Sequence, residues 1–324
     1  MHLPLALKKR LQATPQWLPI SLQPPQEIIQ VRLVTTRGAF DVTANNVVAA
    51  LDPLTVAIGL DSQMQSAVGP ASAPELHLVD RGLERVVGVL HLRAVKHWNT
   101  AGALLALFEV QAGTHSCAPW PRRAWDSWMY RRASQGNNRS GSVAPTAGAV
   151  ENTMIFYICP RPVFLVSVDD GQRSNIFPMD LVGPIAPDRF TLALRNSSPS
   201  VETIKTARKL ALASVPAADY QIAHQLGTHH KKPKIDWEGQ PFRVSRSKEF
   251  SLPTMSTALR VREIEILDFQ SAGSHTLFVG RIVSDERLEN GPQLFHTCGV
   301  YQHLRTRYKR PFQAVFKGSA PGDP

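Results

Sequence analysis

The run Asn196-Ser197-Ser198-Pro199-Ser200-Val201-Glu202-Thr203 gathers small polar side chains around an expected helix start. Unpaired backbone N–H groups and the positive end of the helix dipole attract anions there. The hydroxyls of Ser197, Ser198, Ser200 and Thr203, with the Asn196 amide, add neutral donors, so the chemistry on offer is phosphate binding. The same residues can also serve as nothing more than a cap, with Ser198 at N-cap and Pro199 at the first helical position. Further on, Gly227-Thr228-His229-His230-Lys231-Lys232-Pro233-Lys234 is the densest basic stretch of the chain. It suits an anionic ligand or a solvated loop. Adjacent histidines seldom ligate one ion, and no cysteine or carboxylate stands at ligand spacing, so no metal is expected. His275 opens an apolar stretch, where a lone histidine either packs or lines a cleft. Trp120, Trp125 and Trp128, set among Arg122, Arg123, Arg131 and Arg132, could stack a flat ligand through cation–π contacts. They read better as a hydrophobic closing segment of the first half. A Gly-x-Gly-x-x-Gly turn, a Walker-type loop and a nucleophile elbow are all missing.

A chain of 324 residues has room for two domains. Its three cysteines, Cys117, Cys159 and Cys298, are odd in number and far apart, which argues against a disulfide framework and fits a reducing, cytoplasmic setting. No apolar run approaches the roughly 18–20 residues that span a bilayer. In Met1-His2-Leu3-Pro4-Leu5-Ala6-Leu7-Lys8-Lys9-Arg10 the charges follow the apolar stretch, the wrong order for a secretory signal. The formal net charge of +10 is dispersed along the chain, which disfavours nucleic acid and suits phosphorylated cofactors and pyridine nucleotides.

The elements that must position these residues are mostly strands. A polar, glycine-rich stretch around 133–151 has linker composition. It divides the chain into parts of similar rhythm. Thr55-Val56-Ala57-Ile58 and Thr191-Leu192-Ala193-Leu194 hold the same place in the two patterns. Arg85 to Val95 and Leu104 to Val110 echo Arg260 to Leu267 and Leu277 to Val283. Helical spacing of Val201, Ile204, Ala207 and Ala211 predicts a helix over 198–211, and a second short helix is expected over 216–226, stopped by Gly227.

Three stretches, in their order and spacing, resemble the flavin-reductase-like branch of the FMN-binding split barrels. They are Pro160-Arg161-Pro162-Val163-Phe164-Leu165-Val166-Ser167-Val168, Arg173-Ser174-Asn175-Ile176-Phe177-Pro178, and Ser274-His275-Thr276-Leu277-Phe278-Val279-Gly280-Arg281-Ile282-Val283. The resemblance implies a mainly β fold with a few helices, built as two split β-barrel domains in tandem, a single-chain pseudo-dimer. The implied division is an N-terminal extension (1–26), a degenerate barrel (27–132), a linker (133–151), an FMN-binding barrel (152–316) and a tail (317–324). It further implies FMN as cofactor ahead of FAD, NAD(P)H as transient electron donor, hydride transfer to flavin N5 and an electron acceptor of unknown identity. Ser174, Asn175, Ile176, Phe177 and Pro178 would lie along the ring, Asn196, Ser197, Ser198, Ser200, Thr203 and Lys231 would meet the phosphate, and His275 would line the donor side. Read from the residues alone, Asn175 can also be a turn residue satisfying local backbone. Asp180 departs from the Ser or Thr that relatives often carry, and a carboxylate beside the ring would disfavour an anionic reduced flavin. The first half lacks the hydroxyl-rich helix start, having Asp61 to Ser66 there, and has Ala103 where His275 has its counterpart. One complete site is therefore expected, with pseudo-dimers free to pair again. The alternatives are a non-catalytic flavin-binding or interaction protein and, below it, pyridoxamine-phosphate-oxidase-like chemistry.

Overall fold

A computed structural model of the chain describes residues 13–24, 26–69, 72–100, 102–136 and 147–315. After β1 (Leu18–Leu22), runs rich in Val, Leu and Ala form β2 (Ile29–Thr35), β3 (Gly38–Asp41), β4 (Asn46–Leu51), β5 (Leu54–Leu60), β6 (Glu75–Asp80), β7 (Arg85–Thr100) and β8 (Ala103–His115). A short helix, α1 (Ser62–Ala67), separates β5 from β6. Two helices, α2 (Trp120–Gly136) and α3 (Ala147–Phe156), connect the halves. In the second half β9 (Arg161–Pro162) is followed by β10 (Phe164–Asp169), β11 (Ser174–Met179), β12 (Val182–Ala186) and β13 (Arg189–Arg195). After α4 (Ser200–Ala207) come β14 (Lys209–Ser214), α5 (Tyr220–Leu226), β15 (Val244–Arg246), β16 (Pro253–Met255), β17 (Arg260–Ala272), β18 (His275–Arg287), β19 (Gln293–Thr297), α6 (Gly299–Arg307) and β20 (Gln313–Ala314).

The two large sheets have seven strands each, in the orders β3-β2-β6-β7-β8-β5-β4 and β11-β10-β14-β17-β18-β13-β12. Replacing each strand by its counterpart turns one order into the other, and α1 and α4 occupy matching places. The echo heard between 85–110 and 260–283 is thus the long hairpin of each sheet, β7–β8 and β17–β18. Strands β4 and β12, matching members of the two sheets, pack on one another at the centre. One continuous apolar core runs through both halves, from Val31 and Phe108 to Phe177 and Phe278.

The N-terminal stretch is no loose extension. Strand β1 pairs with β19 and β20 of the second half, so a four-stranded sheet, β20-β1-β19-β9, straps the chain's start onto its end. The segment before it is anchored too: the Thr14 amide and hydroxyl donate to Asp126 at 2.9 and 2.7 Å, and Gly299 N–H donates to the Pro15 carbonyl at 2.9 Å. Of the linker expected over 133–151, residues 133–136 finish α2 and 147–151 begin α3, while 137–146 lie outside the described residues, as do 1–12 and 317–324. The tryptophan segment is helical and does not close a core, since Trp120 and Trp128 are exposed. The helix expected over 198–211 ends at Ala207, because Arg208 turns left-handed (φ 53°) and Lys209 to Ser214 pair with β10 and β17. The second helix is a 3₁₀ turn followed by α5, and Gly227 continues into a further 3₁₀ turn to Lys231. Among the described residues no helix is long and apolar enough to cross a membrane, and all three cysteines are buried and free.

Candidate functional site

A cavity of about 630 Å³ opens where the end of β11, the end of β13, the start of β18 and the 3₁₀ turn at 227–231 converge. That volume falls within the usual range of small-molecule sites, roughly 300–1,000 Å³. Its floor is apolar, formed by Pro178, Met179, Leu181, Ala193 and Leu194. Leu51, at the end of β4, is the first half's contribution, and Trp17 reaches in from the N-terminal strap. The first half is held there by its β4–β5 turn. Ser274 N–H donates to the Asp52 carbonyl (2.9 Å), and Asp52 N–H donates to Ser274 Oγ (3.1 Å). Gly273 makes that approach possible: its φ is +52°, and a Cβ would stand 2.7 Å from the Asp52 carbonyl oxygen.

The polar lining of the cavity falls into two groups. One comprises Arg195, Ser197, Ser198, Lys231, His230 and His275. Ser198 Oγ donates to the His230 carbonyl at 3.2 Å, and the His230 ring bonds the Pro178 carbonyl through Nε2 at 2.8 Å, pinning the 3₁₀ turn to β11. Burial lowers the pKa of His230, opposed in part by that bond. Burial, with the Arg195 guanidinium, holds His275 at about 4, so its imidazole is neutral at physiological pH, and its Nδ1 lies 2.8 Å from Ser274 Oγ. The other group comprises Trp17, Tyr157, Asp180 and His296. His296 Nδ1 meets Asp180 Oδ2 at 2.7 Å, Tyr157 also hydrogen-bonds Asp180, and the Trp17 ring stands edge-on to Tyr157 at 6.1 Å. For Asp180 burial alone would raise the pKa, but the bonds from His296 and Tyr157 outweigh it and the carboxyl is held below its usual value. His230 feels both Arg195 and Asp180 and so stands between the two groups.

Pro178, Ser197, Ser198, Lys231 and His275 line the cavity, whereas the other expected side chains point elsewhere. Asn175 is a buried brace: its Nδ2 donates to the His229 carbonyl (2.9 Å), the Lys232 carbonyl (2.8 Å) and Ser200 Oγ (3.3 Å). Ser174 accepts from Trp237 Nε1 at 2.9 Å. Ile176 and Phe177 are fully buried on opposite sides of β11, as strand alternation requires. Ser200 and Thr203 face inward from α4, where an apolar stripe of Val201 and Ile204 seats the helix on the sheet. Asn196 braces the β17–β18 turn, donating to the Gly273 carbonyl (3.1 Å) and accepting from Thr276 (2.9 Å). Nor does Ser198 cap the helix with its side chain. Trp17, Leu51, Tyr157, Arg195 and His296 went unread in the sequence. Arg195 alone had a local signal, standing next to Asn196 at a strand end.

The neutral state of His275 has a measurable consequence. In the unfolded chain it titrates near 6.5, so the unfolded state takes up the proton first and stability falls as pH drops from about 6.5 towards 4. The full loss is roughly 3 kcal/mol. His115, also held at about 4 by burial, adds a loss of the same sign. Urea unfolding between pH 7 and pH 4.5 should therefore show a visibly shallower decline in His275→Gln than in the wild type. Equal slopes would mean that His275 is not buried as described.

The model of the flavin reductase like domain matches residues 156–305, a span that holds every lining residue named above except Trp17 and Leu51. Among solved structures, the NADH:FAD oxidoreductase SgcE6 of Streptomyces globisporus C-1027 is 18% identical, over 45% of this chain and 87% of that one, with a TM-score of 0.41. BorF, the flavin reductase component of a bacterial two-component tryptophan halogenase, is 17% identical over 44% and 90%, with a TM-score of 0.41. An FMN-binding protein from Thermus thermophilus is 24% identical over 40% and 71%, with a TM-score of 0.36. Residues 156–305 of this chain thus match the model of the flavin reductase like domain, and a first half of the same strand order packs against them.

Proposed function

We propose that the cavity binds FMN and that the protein is an oxidoreductase of the flavin reductase type, with NAD(P)H as electron donor. The observation that carries this reading is the polarity of the cavity inside the matched domain. It has apolar lining for a tricyclic ring, and a cluster of hydroxyls and two cations for a phosphate. The residues fit the group. Ser197, Ser198, Arg195 and Lys231 supply neutral and charged donors of the kind a dianionic phosphate needs, and neither cation is ion-paired with a described carboxylate. FMN is favoured over riboflavin because its terminal phosphate is what this cluster would meet. When bound, the flavin supplies hydride chemistry between a nicotinamide and an acceptor. The chain's own tasks are to seat the ring on Pro178, Met179, Leu181, Ala193 and Leu194, to hold the phosphate, and to keep His275 and His230 neutral. Trp17 and Leu51 cover the ring from outside the domain.

The test is a titration of the purified full-length protein with FMN, FAD and riboflavin, read by flavin fluorescence and visible absorbance, followed by NADH and NADPH oxidation. Saturable FMN binding at least about tenfold tighter than riboflavin, with turnover, is expected. FMN retention without turnover would favour a non-catalytic flavin-binding protein, and oxidation of pyridoxamine phosphate would favour the oxidase chemistry. Failure to bind any flavin would overturn the reading.

A further inference from the structure

The pairing of Asp180 with His296 has no part in holding a phosphate. A carboxylate on the wall of a cavity that takes an electron-accepting ring should oppose reduction, because reduction brings negative charge onto that ring. Here the carboxylate does not face the cavity alone. His296 Nδ1 holds Asp180 Oδ2 at 2.7 Å, and Tyr157 hydrogen-bonds the same group. His296 comes from β19, whose register is set by β1 on one side (Pro19 opposite His296) and β9 on the other (Arg161 opposite His296). Nδ1 is committed to Asp180, so Nε2 is the nitrogen left for a ligand, and the side chain lines the cavity while keeping 28% of its surface exposed. The other charged residues nearby are engaged or belong to the other polar group. Arg161 lies over the Phe156 ring at 4.1 Å and donates to Asn46, Asp219 accepts from Thr257 at 2.8 Å, and Arg195 and Lys231 belong to the phosphate-type cluster. The remaining cavity histidines are bound to neutral partners, His230 to the Pro178 carbonyl and His275 to Ser274.

We propose that Asp180 and His296 act as a hydrogen-bonded pair at the ring-binding end of the cavity, with Asp180 orienting His296 and the Nδ1 bond engaging the carboxylate so that a reduced, negatively charged ring can be held. The inference rests on the flavin reading above. Asp180 is a positioning residue in this scheme, and His296 Nε2 is the atom presented to the ligand.

The two single substitutions should act in opposite directions. His296→Gln removes the Nδ1 bond that engages the carboxylate and should weaken binding of reduced FMN relative to oxidised FMN by roughly tenfold. For a two-electron couple that is a fall of about 30 mV in midpoint potential. Asp180→Asn removes the negative charge and should shift the ratio the other way, and the double variant should return towards the wild type. The measurements are FMN dissociation constants by fluorescence and midpoint potentials by anaerobic reductive titration of full-length protein against a reference dye. If His296→Gln does not fold, Asp180→Asn alone still carries a signed expectation. Shifts of the same sign in both single variants, or shifts below about twofold in both, would overturn the pair's role while leaving flavin binding intact. A wild type that takes up no flavin would remove the underlying reading together with this one.

Discussion

Arg195→Glu is expected to weaken FMN binding by about 10- to 100-fold while changing riboflavin affinity by no more than a few-fold. The magnitude follows from reversing one unit charge close to a dianion at a partly solvated rim, where each charge pair is worth about 1–3 kcal/mol. The discrimination between the two ligands isolates the phosphate, since riboflavin shares the ring and lacks the anion. Arg195 stands at the end of β13 beside Ser197 and Ser198, so the substitution alters the rim and not the core. Because the group is exposed, the effect should shrink as salt rises from about 0.05 to 0.5 M. Equal losses for both flavins would place the anion site elsewhere.

Gly59→Ala should be among the most destabilising single-methyl changes in this molecule. A Cβ at Gly59 in β5 would stand 1.9 Å from the carbonyl oxygen of Ile185 in β12 and 2.8 Å from its carbonyl carbon. Both are backbone atoms of the opposite half, so no rotamer change can relieve the clash and the two sheets must part. Overpacking of a core typically costs about 1–3 kcal/mol, and a backbone clash belongs at the upper end. A loss of roughly 3 kcal/mol corresponds to a fall of about 6–12 °C in melting temperature. Gly148→Ala, in α3 with open space around the added methyl, is the contrast and should raise stability by up to about 1 kcal/mol. Thermal and urea unfolding of the two variants side by side decides the matter. A loss below about 1 kcal/mol in Gly59→Ala would mean that the halves do not meet at this point.

The strands were legible because their signal is local. Alternation and β-branched content mark β10, β11, β13, β17 and β18 whatever packs on them, and the repetition of that rhythm from 31–110 to 163–283 anticipated two sheets of one topology. The site was legible in part. His275, Pro178, Ser197, Ser198 and Lys231, singled out in the sequence, line one cavity, but the side chains of Ser174, Asn175, Ile176, Phe177, Ser200 and Thr203 turn into the protein. Strand alternation sends every second side chain of β11 away from any given surface, and the inward stripe of α4 carries Ser200 and Thr203 with it. Which parity faces a cavity depends on what lies across the sheet, and no local pattern records that.

By itself, then, the chain determined its strand-rich class, its repeated organisation and the chemical character of the Ser197–Ser198 and Lys231 stretches, since these depend on residue type and near-neighbour spacing. Tertiary structure alone brought Trp17, Leu51, Tyr157, Asp180 and His296 to one cavity, from positions up to 279 residues apart. It also decided that Asp180 is paired and His275 neutral. Hydrogen bonding and desolvation are properties of the space around a group, and that space exists only after β1 has docked on β19 and the two sheets have closed on each other.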